Sequence, residues 1–95
     1  MGYRIFYHPS VSAHDLLPLN QTLRERIRQA IERRLMTEPT YYGEPLRYRL
    51  KGYWKLRVGD YRIVFRVEND EVWVLSIGHR KQVYAVPPQR LIWRP

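Results

Sequence analysis

Cysteine is absent from the 95 residues of this sequence. Neither a disulfide nor a zinc–thiolate centre can therefore stabilise the fold. Long apolar runs are missing as well. No stretch approaches the roughly 20 apolar residues that cross a membrane, and the N-terminal M-G-Y-R-I-F-Y-H lacks the apolar core of a signal peptide. These absences lead us to expect a cytoplasmic protein that makes no membrane contact.

Acidic residues are scarce relative to basic ones. Lys and Arg number 17 against 9 Asp and Glu, which gives a formal net charge of +8 and a pI near 10.2. This excess indicates a polyanionic partner, first of all a nucleic acid, and says little about the fold. The length suits one domain, residues 1–95, with a single core.

The sequence also lacks the motifs of the common catalytic centres. Its histidines, His8, His14 and His79, have no metal-ligand spacing and no accompanying carboxylate cluster. A Ser-His-Asp set, a Gly-rich phosphate loop and an H-E-x-x-H motif are all absent. We expect neither a metal nor a cofactor. Only His79, next to Arg80, is placed to touch a substrate.

The first half of the chain predicts a strand and two helices. Alternating β-prone residues indicate a strand at 3–7, ended by His8-Pro9 because proline cannot donate to a sheet. Ser10 is the expected N-cap of a short helix at 11–17, and Asn20 that of a longer one. Apolar residues recur every four positions along the longer helix, at Leu23, Ile27, Ile31 and Leu35.

Regular structure is harder to assign in the middle and at the end of the chain. Residues 37–45 predict a loop, because two prolines and a glycine leave no usable period. Residues 46–51 are either extended or an irregular lead-in. The tail beyond Lys81 is too rich in proline for a long helix. Its residues 86–95 either fray or dock Leu91, Ile92 and Trp93 on the core or on a partner.

Residues 53–58, 61–67 and 72–79 predict three strands of an antiparallel meander. A two-residue turn at Gly59-Asp60 places Arg57 opposite Arg62. Since side chains alternate between faces, one face of this hairpin is a core. That face carries Trp54, Leu56, Val58, Tyr61, Ile63, Phe65 and Val67.

The opposite face is basic, with Tyr53, Lys55, Arg57, Arg62, Val64 and Arg66. Like charges directly across a sheet destabilise it, so this face predicts an anionic ligand. A solvated face with cations spread for solubility is the alternative. Several tyrosines could stack on bases of a single strand, namely Tyr41, Tyr42, Tyr48, Tyr53 and Tyr84. Most aromatic residues of a small domain are core, as we expect for Trp54, Tyr61, Trp73 and Trp93.

The length of the second hairpin loop decides which way the last strand faces. A three-residue loop at 69–71 puts Trp73, Leu75 and Ile77 in the core, and Val74, Ser76, Gly78 and Arg80 on the basic face; an even loop reverses this. We favour three residues, because such hairpins need one left-handed residue and Asn or Asp supplies it. Gly78 then lies opposite Arg62 and leaves room for a phosphate or base.

Together these elements predict an α+β fold. It has an N-terminal strand, a two-helix hairpin and a three-stranded antiparallel meander, with the helices packed on one face of the sheet. The basic face stays open.

The string K-L-R-V-G-D-Y-R-I-V-F-R-V, followed by V-L-S-I-G-H-R-K-Q-V-Y, resembles the RelE/ParE toxin superfamily and, more closely, its RelE branch. The resemblance extends to about residue 85 and is most specific in G-D-Y-R and G-H-R-x-x-V-Y. It implies a RelE-like toxin of a type II toxin-antitoxin pair. Such a toxin enters the ribosomal A site, near 16S rRNA, and inhibits translation by cleaving mRNA through metal-free attack of the ribose 2′-OH. Its second partner is a cognate antitoxin.

By position, the resemblance implies that Lys55, Arg62, Arg80 and Tyr84 are catalytic. Lys55 would protonate the leaving 5′-oxygen, the two arginines would hold the phosphate, and Tyr84 would orient or deprotonate the 2′-OH. RNA or ribosome contacts are expected from Tyr53, Arg57, Arg66, His79 and Lys81. The best-studied RelE toxins carry a second lysine where this chain has Tyr53, and another branch ends in a His-Tyr pair that is absent here. The general base therefore stays open.

Two other functions stay open. Members of the ParE branch poison DNA gyrase and do not cut RNA, but they usually lack the lysine, arginine and tyrosine set. A basic module that binds nucleic acid without cleaving it would show salt-sensitive RNA binding alone.

Overall fold

The computed structural model describes residues 2–95 and contains a mixed five-stranded sheet, ordered β1-β5-β4-β3-β2. β1 runs parallel to β5, and all other neighbours are antiparallel. No helix in this part of the chain is long and apolar enough to cross a membrane. The predicted α+β class and meander are confirmed. The strands are β1 (Arg4–Tyr7), β2 (Glu44–Pro45), β3 (Trp54–Val58), β4 (Tyr61–Glu68) and β5 (Glu71–His79).

The long helix α1 (Gln21–Ala30) starts and packs as its sequence predicts. Asn20 caps it, because the side-chain oxygen accepts a 2.8 Å hydrogen bond from the Leu23 N–H. The helix continues as one wider turn, Ile31–Leu35, which the Met36 N–H closes onto the Ile31 carbonyl. Its apolar stripe packs on the face of the sheet that carries Leu56, Ile63 and Phe65.

The short helix before α1 differs from the prediction of residues 11–17 capped by Ser10. It is a single wide turn, Val11–Asp15, and the Ser10 side chain makes no capping hydrogen bond. Instead the Nδ1 atom of His8 accepts a 3.0 Å hydrogen bond from the Ser10 N–H. The sequence did not show this cap, because histidine is a rare substitute for the small polar residues that usually take the position.

The loop predicted at 37–45 contains two short elements, the helix α2 (Pro39–Tyr42) and β2, which extends the sheet beside β3. Gly43, between them, permits a close approach: a Cβ there would lie 2.7 Å from the Phe65 ring. The following segment forms a 3₁₀ turn at Tyr48–Leu50, which agrees with the irregular alternative.

The second hairpin corrects the predicted register. Its loop has two residues, so that Glu68 pairs with Glu71, and Leu75 is left without a partner on β4 as a β-bulge. Beyond the bulge, Arg62 lies opposite Gly78 as predicted. Before it the faces are reversed: Val74 joins the helix-side core, and Trp73 lies with Arg66 on the other face. The prediction of Trp73 as a helix-side core residue was wrong, although its side chain is buried.

The face expected to be open is partly covered by a second apolar cluster. Val64 is its centre, and Leu50, Val83 and Val86 are buried around it, with Tyr53, Tyr84 and Leu91 packed at the edge. The chain after β5, including the short helix α3 (Pro88–Leu91), supplies most of this cover.

An ion pair fastens the tail to the rest of the fold. Arg90 donates to both oxygens of Asp15 at 2.7 and 3.0 Å, and the two side chains are only 13% and 12% exposed. Asp15 also accepts a hydrogen bond from the Ile77 N–H. Farther along, Trp93 packs against Trp73 and His8. The tail is therefore docked on the sheet.

We expect Asp15→Ala to lower the free energy of unfolding by about 3 kcal/mol or more, because it strands a nearly buried guanidinium and a strand N–H. Urea denaturation measures the loss. Arg4→Ala is the control: it breaks exposed ion pairs with Asp70 and Glu71 and should cost about 1 kcal/mol or less. Equal small losses in the two variants would contradict the role of the Asp15–Arg90 pair.

His8 predicts a pH dependence of stability. Its burial, together with the Arg90 guanidinium and against the opposing effect of Asp15, lowers the pKa of His8 below the usual 6.5. As the pH falls through about 6.5, His8 is protonated in the unfolded chain before it is protonated in the folded one. The contribution of neutral His8 to the free energy of unfolding is therefore complete above that pH and is lost below it.

His8→Asn keeps a capping oxygen but cannot titrate in this range. We expect its urea midpoint to fall less than that of the wild type between pH 7 and about pH 5. His14→Asn, at an exposed position, should follow the wild type. If His8→Asn also follows the wild type, the cap does not respond to pH.

Candidate functional site

A tight turn after β5 carries the chain back over the basic face. The N–H groups of Gln82 and Val83 both donate to the His79 carbonyl, at 2.9 and 3.0 Å. Val83 thereby packs on Gly78, where a Cβ would lie 3.4 Å from the Val83 Cβ. The space at Gly78, predicted to receive a phosphate or base, is filled by Val83.

Tyr84 follows this turn and comes to lie beside Lys55. The Lys55 ammonium is 5.7 Å from the centroid of the Tyr84 ring, within the range of a cation–π contact. Arg49 holds this part of the backbone by donating to the carbonyls of Tyr84 (3.2 Å) and Val86 (3.0 Å). The side chains of Lys55 and Tyr84 are both half-buried. A potential proton donor and a potential acceptor therefore share one edge of the site.

Two cations lie directly across the β3–β4 hairpin, as predicted. Arg57 pairs with Arg62 in the strand register. The Arg62 Nη1 donates to the carbonyls of Gly59 and Tyr61, both at 2.9 Å, which fixes the guanidinium at the turn. Its Nε and Nη2 make no hydrogen bond to residues 2–95, so both donors lack a protein acceptor.

Arg80 lies at the same turn. Its backbone N–H donates to the Asp60 carbonyl at 2.9 Å, and its side chain is exposed, as is that of Lys81. The sheet thus brings Arg57, Arg62 and Arg80 to one end of the meander. Lys55 lies diagonally from Arg62, opposite Val64.

Three of the side chains predicted to contact RNA also have partners within the protein. Arg66 forms an ion pair with Glu68 and lies over the Trp73 ring at 5.5 Å. The Tyr53 hydroxyl donates to the Leu91 carbonyl at 3.0 Å. His79 packs edge-on against Tyr61, on the rim of the helix-side core, and its Nδ1 accepts from the Lys81 N–H. Of the three, Tyr53 packs in the same apolar cluster as Tyr84.

The site is electropositive because its cations lack carboxylate partners. Ion pairs within residues 2–95 involve Arg4, Arg28, Arg66 and Arg90, and none involves Lys55, Arg57, Arg62 or Arg80. Within the same residues no three His, Asp or Glu side chains form a group able to hold a metal ion. The arrangement can bind a phosphate and move a proton.

The residues that position this site could not be predicted from local sequence. Arg49 holds the Tyr84 backbone, and Arg90 reaches Asp15 across 75 positions of the chain. No local pattern links residues so far apart. Their one signal was the presence of charged residues in segments otherwise assigned as a lead-in and a tail.

Comparison with known proteins identifies the family. A family model described as the ParE toxin of type II toxin-antitoxin system, parDE, matches residues 9–84. The chain belongs to this toxin family. Its relatives include Toxin RelG of Mycobacterium tuberculosis, 36% identical over 52 residues, which are 53% of this chain and 60% of RelG. Toxin RelE of the same organism is 29% identical over 89 residues, 88% of this chain and 92% of RelE.

A solved structure supports the same assignment. The toxin-antitoxin complex RelBE2 from Mycobacterium tuberculosis contains a chain that matches with a TM-score of 0.77 and 27% identity, over 84% of this chain and 100% of that one. The protein is thus a type II toxin of the RelE/ParE superfamily, with a RelE-like fold. A type II toxin has a cognate antitoxin as its partner.

Proposed function

We propose that this toxin is a ribosome-dependent endoribonuclease that cleaves mRNA in the A site, in the cytoplasm, and so inhibits translation. The observation that carries the proposal is the Lys55–Tyr84 pair, 5.7 Å from ammonium to ring. Arg62 and Arg80, which have no carboxylate partner in residues 2–95, lie at the β3–β4 turn of the same meander. A proton-transfer pair beside free guanidinium groups suits phosphodiester transfer.

The proposed reaction needs no group beyond these side chains. The ribose 2′-oxygen attacks the adjacent phosphorus, the bond from phosphorus to the 5′-oxygen breaks, and the products are a 2′,3′-cyclic phosphate and a 5′-OH. Tyr84 orients the 2′-OH and, in its phenolate form, accepts the proton, while Lys55 gives a proton to the leaving oxygen. Arg62 and Arg80 stabilise the extra negative charge that develops on the phosphorane.

The turn contacts of Arg62 favour this role. A guanidinium already held by two backbone carbonyls loses little freedom when it binds phosphate, which is the advantage of a preorganised charge. The hydroxyl of Tyr53, at the position of the second lysine of other RelE toxins, is occupied by the Leu91 carbonyl. Lys55 and Tyr84 therefore remain the acid–base pair of the proposal.

We expect Tyr84→Phe and Lys55→Met each to slow cleavage by about 10²–10⁴-fold, the usual contribution of a general acid or base. Single-turnover cleavage of an mRNA on bacterial ribosomes, followed by primer extension, measures the rate. The controls are Tyr3→Phe and Arg4→Ala. Tyr3 precedes β1 and Arg4 begins it, and both lie away from the site. A Tyr84→Phe variant as fast as these controls would remove Tyr84 from the chemistry.

We expect Arg80→Ala to abolish growth arrest while leaving the melting temperature unchanged, because the side chain is exposed and its backbone bond to Asp60 is retained. Induction in growing bacteria and thermal melting of the purified protein supply the two readouts. A fully toxic Arg80→Ala variant would exclude Arg80 from the mechanism.

The description of the matching family as ParE favours a second candidate, inhibition of DNA gyrase. Primer extension after induction separates the two. Codon-spaced cuts in translated regions support the ribonuclease, whereas intact transcripts with damaged DNA support the gyrase inhibitor.

A further inference from the structure

A groove of about 240 Å³ lies between α1 and the β3–β4 turn, apart from the Lys55–Tyr84 pair. Four of its lining residues are arginines, Arg26, Arg33 and Arg34 from the helix region and Arg57 from β3. Gly59, in the β3–β4 turn, also lines it. None of the expected site residues except Arg57 lies in it.

These four arginines have no carboxylate partner within residues 2–95. The neighbouring side of the same helix is different, because Arg28 forms ion pairs with both Glu25 and Glu32. The helix repeat explains the contrast. Arg26 and Arg33 are seven residues apart on one stripe, and Glu25 and Glu32 are seven apart on the next. The acidic side chains of this helix therefore neutralise Arg28 and leave the groove positive.

The groove joins the candidate cleavage site at the hairpin turn. The Arg26 Nη2 lies 3.6 Å from the place where a Cβ on Gly59 would stand. The Gly59 carbonyl accepts the hydrogen bond of Arg62, and Arg57 pairs with Arg62 across the strands. Arginine side chains thus lie on both sides of the turn, Arg62 at the site and Arg26 in the groove.

Exposed aromatic rings lie at the far end. The Arg34 guanidinium is 5.9 Å from the centroid of the Tyr42 ring, and Tyr41 contacts Tyr42 edge-on at 5.0 Å. Tyr41 is 78% exposed and Tyr42 45%. Exposed rings beside guanidinium groups are typical of surfaces that bind RNA, where bases stack and phosphates pair with arginine.

We propose that this groove binds the phosphate backbone of RNA that continues from the cleavage site. The choice of RNA as the ligand rests on the proposed function. The arrangement of the four arginines is observed independently of that function. The groove supplies affinity and orientation, and the bond is broken elsewhere. The phosphates belong either to the mRNA strand or to ribosomal RNA beside it, which present the same chemistry to the arginines.

The test compares two double variants that lose the same charge. Arg26→Gln with Arg33→Gln removes two groove arginines, and Arg4→Gln with Arg28→Gln removes two ion-paired ones. Binding to a short single-stranded RNA and to bacterial ribosomes is measured over a series of salt concentrations. We expect the groove variant to lose about tenfold or more in affinity, and its salt dependence to fall by about one to two phosphate contacts relative to the control.

A loss toward the short RNA assigns the groove to the mRNA strand, and a loss toward ribosomes alone assigns it to ribosomal RNA. Equal affinities of the two double variants in both assays would overturn the proposal. Unchanged RNA binding with weakened antitoxin binding would also overturn it, in favour of an acidic protein segment. Binding does not require cleavage, so a failure of the ribonuclease proposal leaves this test intact. If the Arg26→Gln/Arg33→Gln variant has a lowered melting temperature, the single variants Arg33→Gln and Arg28→Gln, both at exposed positions, are compared in the same assays.

Discussion

The single unpaired residue Leu75 sets the relation between the two halves of the meander. A strand can present its apolar residues to one core only if its register keeps them on that side. With a two-residue turn at one end and Arg62 opposite Gly78 at the other, the residue counts of β4 and β5 do not match. The bulge absorbs the extra residue, so that Val72 and Val74 on one side of it and Ile77 on the other all reach the helix-side core.

The fold also depends on the tail, which covers the other face of the sheet. A sheet with Val64 at the centre of its second face leaves apolar area exposed unless something covers it. The turn after His79 and the Asp15–Arg90 pair bring Val83, Val86 and α3 onto this surface. Removing two charges from water is unfavourable, and four hydrogen bonds offset this cost. Arg90 donates twice to Asp15 and once to the Leu75 carbonyl, and the Ile77 N–H donates to Asp15. This cover also places Tyr84 beside Lys55.

Two groups of basic residues differ in their partners. In the first, Arg28 pairs with Glu25 and Glu32, and its hydrogen bond lowers the pKa of Glu25, while Arg66 pairs with Glu68. In the second, arginines without a carboxylate partner in the described residues lie at the β3–β4 turn and in the groove beside it. Concentrated charge of one sign destabilises a folded protein, and a bound polyanion removes that repulsion.

Much of this could be predicted from the sequence, because it depends on local chemistry. Alternation and the Gly59-Asp60 turn determine the β3–β4 hairpin and the pairing of Arg57 with Arg62, and a four-residue repeat after a capping Asn20 determines α1. Other features depend on residues distant in the chain: the His8 cap, the bulge at Leu75, the filling of the Gly78 space by Val83 and the Asp15–Arg90 pair. Local sequence is enough to show which side chains could form a basic site on the meander. Which of them come together depends on packing between distant residues, because burial of the second face by the tail brings Tyr84 to Lys55 and gives Tyr53 and Arg66 internal partners.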